Sequence, residues 1–497
     1  MKERMKKSSL AFCLVLGFFA FWAPPFVAAE TSSKNAAENN FRNQIQKIMD
    51  HPCLKKTHYG IKFYSLDRRE VLFAHNNNQK LIPASNMKLV TTAVALKTLG
   101  PDYRFLTQLY TEGKLQDQTL KGDLYLKGYG DPKLVSEQMW LFVNEVRNLP
   151  LVKIEGDLVA DDSFFDRQWR AKTWKRKFGA EPFTAPAGAL SFNFNTVTVY
   201  AKPGSQAGAK PVVVVDPGND FINVDNGGTT TGKRTRKNPS NLMISRLDKG
   251  DYDEILVRGG IAVTDTRSRY FLNITEPTKY TANVFKEFLQ REGVTVTGQV
   301  RFGSVPPAAH HLLTHESEPL SSILKGLNKY SNNFIAEQLL KAVGTIEYGA
   351  PGTTENGSLA ARNFLVSLGF PPDTFEIADG SGLSRDSRLT PDQLVKILEW
   401  AYSDWRVYPE FLASLGVMGV DGSVRNRMKE SSEGPRARVK TGTLNFTSAI
   451  SGYLQSRDGE HLAFSILMND FKCGHHAAVE IQDKMIDQAL KLNRAKD

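Results

Sequence analysis

Apolar and polar positions alternate with different periods along the chain, and the places where the period changes divide it. Phe41, Ile45, Ile48 and Met49 fall on one side of a short amphipathic helix over residues 39–49. Residues 59–66 then alternate as a strand, Asp67-Arg68-Arg69 makes a turn, and residues 71–75 return as the second strand of a hairpin. Over residues 83–96 the period becomes helical. Leu89, Val90, Ala93, Val94 and Leu96 form a broad apolar stripe, and Gly100-Pro101 ends the helix. From residue 106 onward come short β-like runs broken by glycine and proline, at 122–132, 154–162, 190–200 and 211–218. Gly-Asp-Leu recurs there at 122–124 and 156–158, but two copies do not make a repeat array. Only residues 281–292 read as a helix in this stretch, with Val284, Phe285, Phe288 and Leu289 on one side.

Helical texture resumes after His310-His311, at 320–327, 333–342, 359–368 and 391–401. Residues 449–455 and 461–468 come next as an antiparallel pair, and 476–492 closes the chain as an amphipathic helix. The order predicts an α/β (α+β) protein whose sheet carries helices on both sides. Its first part would span 30–105, an insertion of one or two β-rich domains 106–308, and its second part 309–497.

Composition and charge change this picture little. Lys2, Arg4, Lys6 and Lys7 precede an apolar run at 10–22, and Val27-Ala28-Ala29 supplies small residues, the pattern of a secretory signal peptide cut after Ala29. The run is short against the roughly 20 residues of a membrane span. Phe12 before Cys13 argues against a lipoprotein. A soluble, exported chain without a transmembrane anchor is expected, periplasmic or else secreted and wall-associated. Net charge falls from +10 to +7 once four basic residues and one acidic residue leave with the leader, and no block of like charge suggests a nucleic-acid arm. The one dense basic cluster, residues 233–237, reads as a solvated loop or as a contact for an anionic wall polymer. Cys53 and Cys473 are too few for a disulfide scaffold or a zinc cage, although export permits one bridge.

Three short motifs carry the candidate chemistry. Ser85 and Lys88, three residues apart, share one helix face, and a lysine beside a serine in a partly dry site can lose its proton and serve as a base. Alone, the pair reads as an N-cap serine and a surface lysine. Ser331-Asn332-Asn333 precedes a helix and offers a hydroxyl and an amide to one cleft, or again an N-cap serine. Lys440-Thr441-Gly442-Thr443 opens a late strand, with a glycine that lets a ligand approach the backbone.

Jointly the motifs make the chain resemble the penicillin-recognising serine acyl-enzymes. The middle motif is Ser-Asn-Asn rather than Ser-Asp-Asn, and 246 positions separate Ser85 from Ser331, far more than a compact β-lactamase needs. With the segments at 122–132, 185–195, 379–390 and 419–427, nearly the whole chain after the leader is similar to the low-molecular-mass class C penicillin-binding proteins, the D-alanyl-D-alanine carboxypeptidase/endopeptidases.

The resemblance implies a transpeptidase/β-lactamase-like fold with an antiparallel sheet, and a set of roles. Ser85 would attack the penultimate D-alanine carbonyl of a peptidoglycan stem peptide or cross-link, activated by Lys88, which Lys440 helps to keep neutral. Ser331 would relay a proton to the leaving amine, and Asn333 would hold the substrate amide. Lys440, Thr441 and Thr443, beside Gly442, would bind the terminal carboxylate, and the N–H groups of Ser85 and Thr443 would form the oxyanion hole. β-Lactams would inhibit, and no metal or organic cofactor is called for. In the 379–390 segment, Ser384 is a candidate substrate-binding residue, and Arg388 is the candidate for the carboxylate of a diaminopimelate cross-link, by a bidentate pair, or else a plain surface arginine. A β-lactamase and a silent penicillin-binding scaffold stay open, as does the oligomeric state. Because such a fold sets its first strand antiparallel to its last, the resemblance also implies a Cys53–Cys473 disulfide.

Overall fold

The computed structural model describes residues 26–174, 179–235 and 239–495, with side chains from residue 36 on. The expected leader therefore lies outside the described residues up to residue 25, as do Arg236 and Lys237 of the basic cluster.

Alternating side chains build a central six-stranded sheet from both ends of the chain. Its strands are β1 (His58–Ser65), β2 (Glu70–His75), β3 (Gly416–Val417), β4 (Ala437–Leu444), β5 (Thr447–Gln455) and β6 (His461–Asn469), in the order β2-β1-β6-β5-β4-β3. All five pairings are antiparallel, so the first strand lies against the last, with Ile61 opposite Ile466. The period of two sends Ile61, Phe63, Ile450, Phe464 and Ile466 to one face and Ala449, Tyr453, Ala463 and Leu467 to the other.

Helices α1 (Phe26–Met49) and α10 (His475–Leu490) cover the first face. The second is covered by α2 (Met87–Leu99), α5 (Leu320–Lys329), α6 (Asn333–Tyr348), α7 (Thr354–Ser367), α8 (Pro391–Ser403) and α9 (Tyr408–Ser414). Helix α1 starts at Phe26, well before the expected residue 39. Helix α2 is buried on every side from Met87 to Leu96, not along one stripe, since it runs between the sheet and the other helices. Gly100, at φ +83°, ends it.

Between α2 and α5 the described residues form two α-helices and several small sheets. One helix is α4 (Pro277–Arg291). The other, α3 (Ser136–Asn148), is not among the expected elements, although Met139, Phe142, Val143 and Val146 keep the helical period and are all buried. The Gly-Asp-Leu copies also acquire a physical meaning. Leu124 pairs with Leu158 in parallel, and Leu158 with Val300, so the turns at Gly122, Gly156 and Gly298 stack. A Cβ on Gly156 would stand 2.3 Å from Gly122 O, and one on Gly298 2.3 Å from Gly156 O. The third copy is Gly-Gln-Val, which a search for Gly-Asp-Leu passes over.

Cys53, just before β1, is bonded to Cys473, just after β6, with Cα atoms 5.5 Å apart. No helix among the described residues is long and apolar enough to cross a membrane.

Candidate active site

Ser85 sits in a 3₁₀ turn, Ala84–Asn86, that leads into α2. It is therefore not the cap of α2; Asn86 holds that position, and no side chain caps the helix. Ala84 takes φ +46°, a conformation an L-residue adopts only when its surroundings impose it. Two glycines permit the packing around it. A Cβ on Gly442 of β4 would lie 2.8 Å from Ser85 N, and one on Gly382 1.8 Å from Ala84 O. Strand β4 and the 379–384 loop thus grip the serine turn from two sides.

Lys88, in the first turn of α2, is fully buried. Its Nζ lies 3.0 Å from Ser85 Oγ, 2.7 Å from Asn333 Oδ1 and 2.7 Å from Ser381 O. Two of these three are pure acceptors. A neutral amine has two N–H groups and one lone pair. Giving both hydrogens to Asn333 and Ser381 leaves the lone pair to accept the Ser85 hydroxyl proton. Burial lowers the Lys88 pKa to about 7, against the opposing pull of the Asp379 and Glu337 carboxylates. Of the two expected causes, a partly dry site and a neighbouring Lys440, burial is the one that lowers it.

Each acceptor is held from behind. Asn332 caps α6, its side chain accepting from Ile335 N at 3.1 Å, so Ser331 is not the cap. Ser331 instead takes φ +58° ahead of the helix. The amide of Asn333 is oriented by Nδ2, which donates to Phe183 O at 2.9 Å. The loop bearing Ser381 wraps around Asp379, whose carboxylate accepts from Gly382 N, Ser384 N and Trp174 Nε1 at 2.7–2.9 Å.

On β4, Lys440 is buried and donates to Ser331 Oγ at 2.9 Å and Thr441 O at 2.6 Å. Burial first, and Lys88 second, hold its pKa well below the usual lysine value. Ser85, Lys88 and Asn333 therefore form one set of polar contacts, and Ser331 with Lys440 a second. They flank an open cleft of about 1140 Å³ that Ser85, Ser331, Asn333 and Thr443 line. Thr173 and Phe183 form part of its wall, and it runs past Phe446 to Cys473. Thr441 Oγ1 is instead paired with Ser423 Oγ at 2.8 Å.

Two expected site residues lie elsewhere. Ser384 is buried, its Oγ accepting from Asp386 N, because its loop is folded inward onto Asp379. Arg388 lies outside the cleft, in a separate small pocket with His58 and Lys80, and donates to the backbone carbonyls of Arg385 and Ser387. Leu389 pairs with Leu81 there, which turns Arg388 away from Ser85. Among the described residues, the arginine that lines the cleft is Arg385, three residues earlier. Sequence reasoning also missed the Ser381 carbonyl, the Phe183 carbonyl, Asp379 and Glu337. Of these only Glu337, one helical turn after Asn333, left a signal in the spacing.

A sequence profile described as the D-Ala-D-Ala carboxypeptidase 3 (S13) family matches residues 41–492. The chain is 32% identical over 472 residues to a D-alanyl-D-alanine carboxypeptidase of Actinomadura sp. (strain R39), covering 92% of this chain and 85% of that protein. It is 26% identical over 413 residues to the D-alanyl-D-alanine carboxypeptidase DacB of Haemophilus influenzae, covering 82% and 85%. Among solved structures, penicillin binding protein 4 (dacB) of Haemophilus influenzae superposes with a TM-score of 0.79 at 23% identity, over 90% of this chain and 99% of that one. The profile spans both ends of the central sheet and everything between them. The chain belongs to the D-Ala-D-Ala carboxypeptidase 3 (S13) family.

Proposed function

We propose that this protein is a serine-type D-alanyl-D-alanine carboxypeptidase and endopeptidase that cleaves peptidoglycan stem peptides and cross-links through an acyl-enzyme on Ser85, and that β-lactams acylate the same serine. One observation carries the reading. Lys88 Nζ is 3.0 Å from Ser85 Oγ while its other two contacts are neutral acceptors, so a buried amine is left with its lone pair toward the hydroxyl.

Ser85 Oγ attacks the penultimate D-alanine carbonyl as its proton passes to Lys88. The developing oxyanion is met by backbone N–H groups of Ser85 and Thr443, donors worth roughly 2.7–4 kcal/mol each in other serine enzymes. The proton moves on through Ser331, which touches Lys440, to the leaving amine, and the C–N bond breaks. Lys440 and Thr443 hold the terminal carboxylate. Water then attacks the ester, with Lys88 again as base. For a diaminopimelate cross-link the leaving amine carries a longer chain. The open cleft supports that reading, and Arg385 replaces Arg388 as the candidate partner for its extra carboxylate.

Export by the residue 1–29 leader belongs to the same proposal. The Cys53–Cys473 bridge supports it, because oxidising compartments favour such cross-links. The test is to incubate the purified protein with a labelled penicillin and with an acyl-D-Ala-D-Ala peptide. A slowly released adduct on Ser85, lost in Ser85→Ala, together with D-alanine release is the expected result. Fast penicillin turnover would make the protein a β-lactamase, and no adduct would remove the enzyme reading altogether.

A further inference from the structure

Beneath the Lys88 amine lies a carboxylate that the reaction above does not use. Glu337 comes four residues after Asn333 on α6, so both point from the same face of the helix. Asn333 reaches Lys88 directly. Glu337 Oε1 accepts from Ser381 N at 2.9 Å and Oε2 from Gly380 N at 3.3 Å. The carbonyl of that same Ser381 receives the Lys88 amine at 2.7 Å. The neighbouring Gly380 carbonyl receives Thr91 Oγ1, also from α2, at 2.6 Å. Gly380 packs tightly on α6, where an added Cβ would stand 2.7 Å from Ala336 O.

The residue type fits this place. Two converging backbone N–H groups need a partner that accepts twice, and an ionised carboxylate only accepts. A glutamine of the same length would turn its NH2 toward one of them.

We infer that Glu337 is a positioning residue for the general base: by fixing the Gly380 and Ser381 amides it aims the Ser381 carbonyl at Lys88 and so turns the amine lone pair to Ser85. Helix α6 then sets both pure acceptors of the base, one by side chain and one through the loop. This inference rests on the acyl-enzyme reading. Charged groups around the base are Glu337 from α6, Asp379 from the loop and Lys440 from β4, with Arg385 and Asp386 across the open cleft. Burial and Asp379 push the Glu337 carboxyl up, and the Glu337 carboxylate in turn raises Lys88. Removing that negative charge and misdirecting the carbonyl both weaken the ammonium form of Lys88.

The test compares wild type, Glu337→Gln and Glu337→Ala for the rate of Ser85 acylation by a labelled penicillin from pH 5 to 9, for peptide kcat and KM, and for Tm. In Glu337→Gln, acylation and kcat should fall roughly 10- to 100-fold. KM should stay nearly unchanged, and the acid limb of the rate should move to lower pH. If Glu337→Ala does not fold, the glutamine variant carries the test. A wild type that forms no Ser85 adduct defeats the functional reading and this inference together. A reactive wild type with an equally reactive Glu337→Gln, or a slower one whose acid limb has not moved, defeats the inference alone and makes Glu337 a purely structural residue.

Discussion

Two buried lysines meet opposite fates in this molecule, and helix α6 has a hand in both. Lys88, approached by Asn333 at the start of α6, has a hydroxyl, an amide oxygen and a backbone carbonyl for partners, and no carboxylate within hydrogen-bond distance. Lys341, two turns farther along α6, has its side chain only 1% exposed and meets Asp166 Oδ1 at 2.7 Å and the carbonyl of Gln168 at 3.0 Å. Both side chains are buried, and their partners differ. Neutral acceptors leave Lys88 free to lose its proton. The Asp166 carboxylate pairs with Lys341 and ties α6 to residues 166–168. The same element thus holds a base at one end and a tether at the other.

Removing each lysine should separate the roles. Lys88→Met is expected to lower Ser85 acylation on the order of 10³- to 10⁴-fold, with the smaller change in Tm of the two variants; penicillin labelling and thermal melts check this together. Asn333→Asp would give Lys88 the kind of partner Lys341 has. Acylation should drop roughly 10²-fold at pH 7 and its acid limb should move to higher pH, because an adjacent anion raises the lysine pKa; a pH–rate profile shows it directly. Lys341→Met leaves Asp166 without its cation. The loss should be about 2–3 kcal/mol in chemical denaturation, less than for a wholly buried pair because the Asp166 side chain is 25% exposed. Acylation per folded molecule should change little. The smallest effect belongs to Arg388→Ala, which should alter cleavage of diaminopimelate-bearing and simple peptides equally and slightly, whereas Arg385→Ala should weaken the former selectively, read as the ratio of the two kcat/KM values.

The two lysines also mark how much could be read from sequence. Ser85, Lys88, Ser331, Asn333 and Lys440 are legible as motifs because each depends on a spacing of a few residues along one element. Helices cover both faces of the central sheet, so β5 and β6 are buried along nearly their whole length and are legible as apolar runs on either side of the 456–460 loop, not by a period of two. What escapes is set by tertiary contact. The acceptors that define Lys88 include the Ser381 carbonyl, and no residue type announces where a backbone carbonyl will point. Arg385 and Arg388 are indistinguishable until the pairing of Leu389 with Leu81 turns one of them away. Ser331 resembles an N-cap until Asn332 takes that role and leaves its hydroxyl to Lys440. Helix α3 is a different case: its apolar period is intact, and only the glycine-broken runs around it mask the signal. Lys341 carries no motif at all; its partner lies 175 residues away.

The central claim is that burial, with no carboxylate hydrogen-bonded to the amine, makes Lys88 a base near neutrality. The second-order rate of Ser85 acylation by a labelled penicillin, measured from pH 5 to 9, tests it most directly. The account predicts a rate that rises with pH, reaches half its plateau near the Lys88 pKa of about 7 and stays high above it. A rate that is flat down to pH 5, or one still climbing steeply at pH 9 as an ordinary lysine would require, would contradict it.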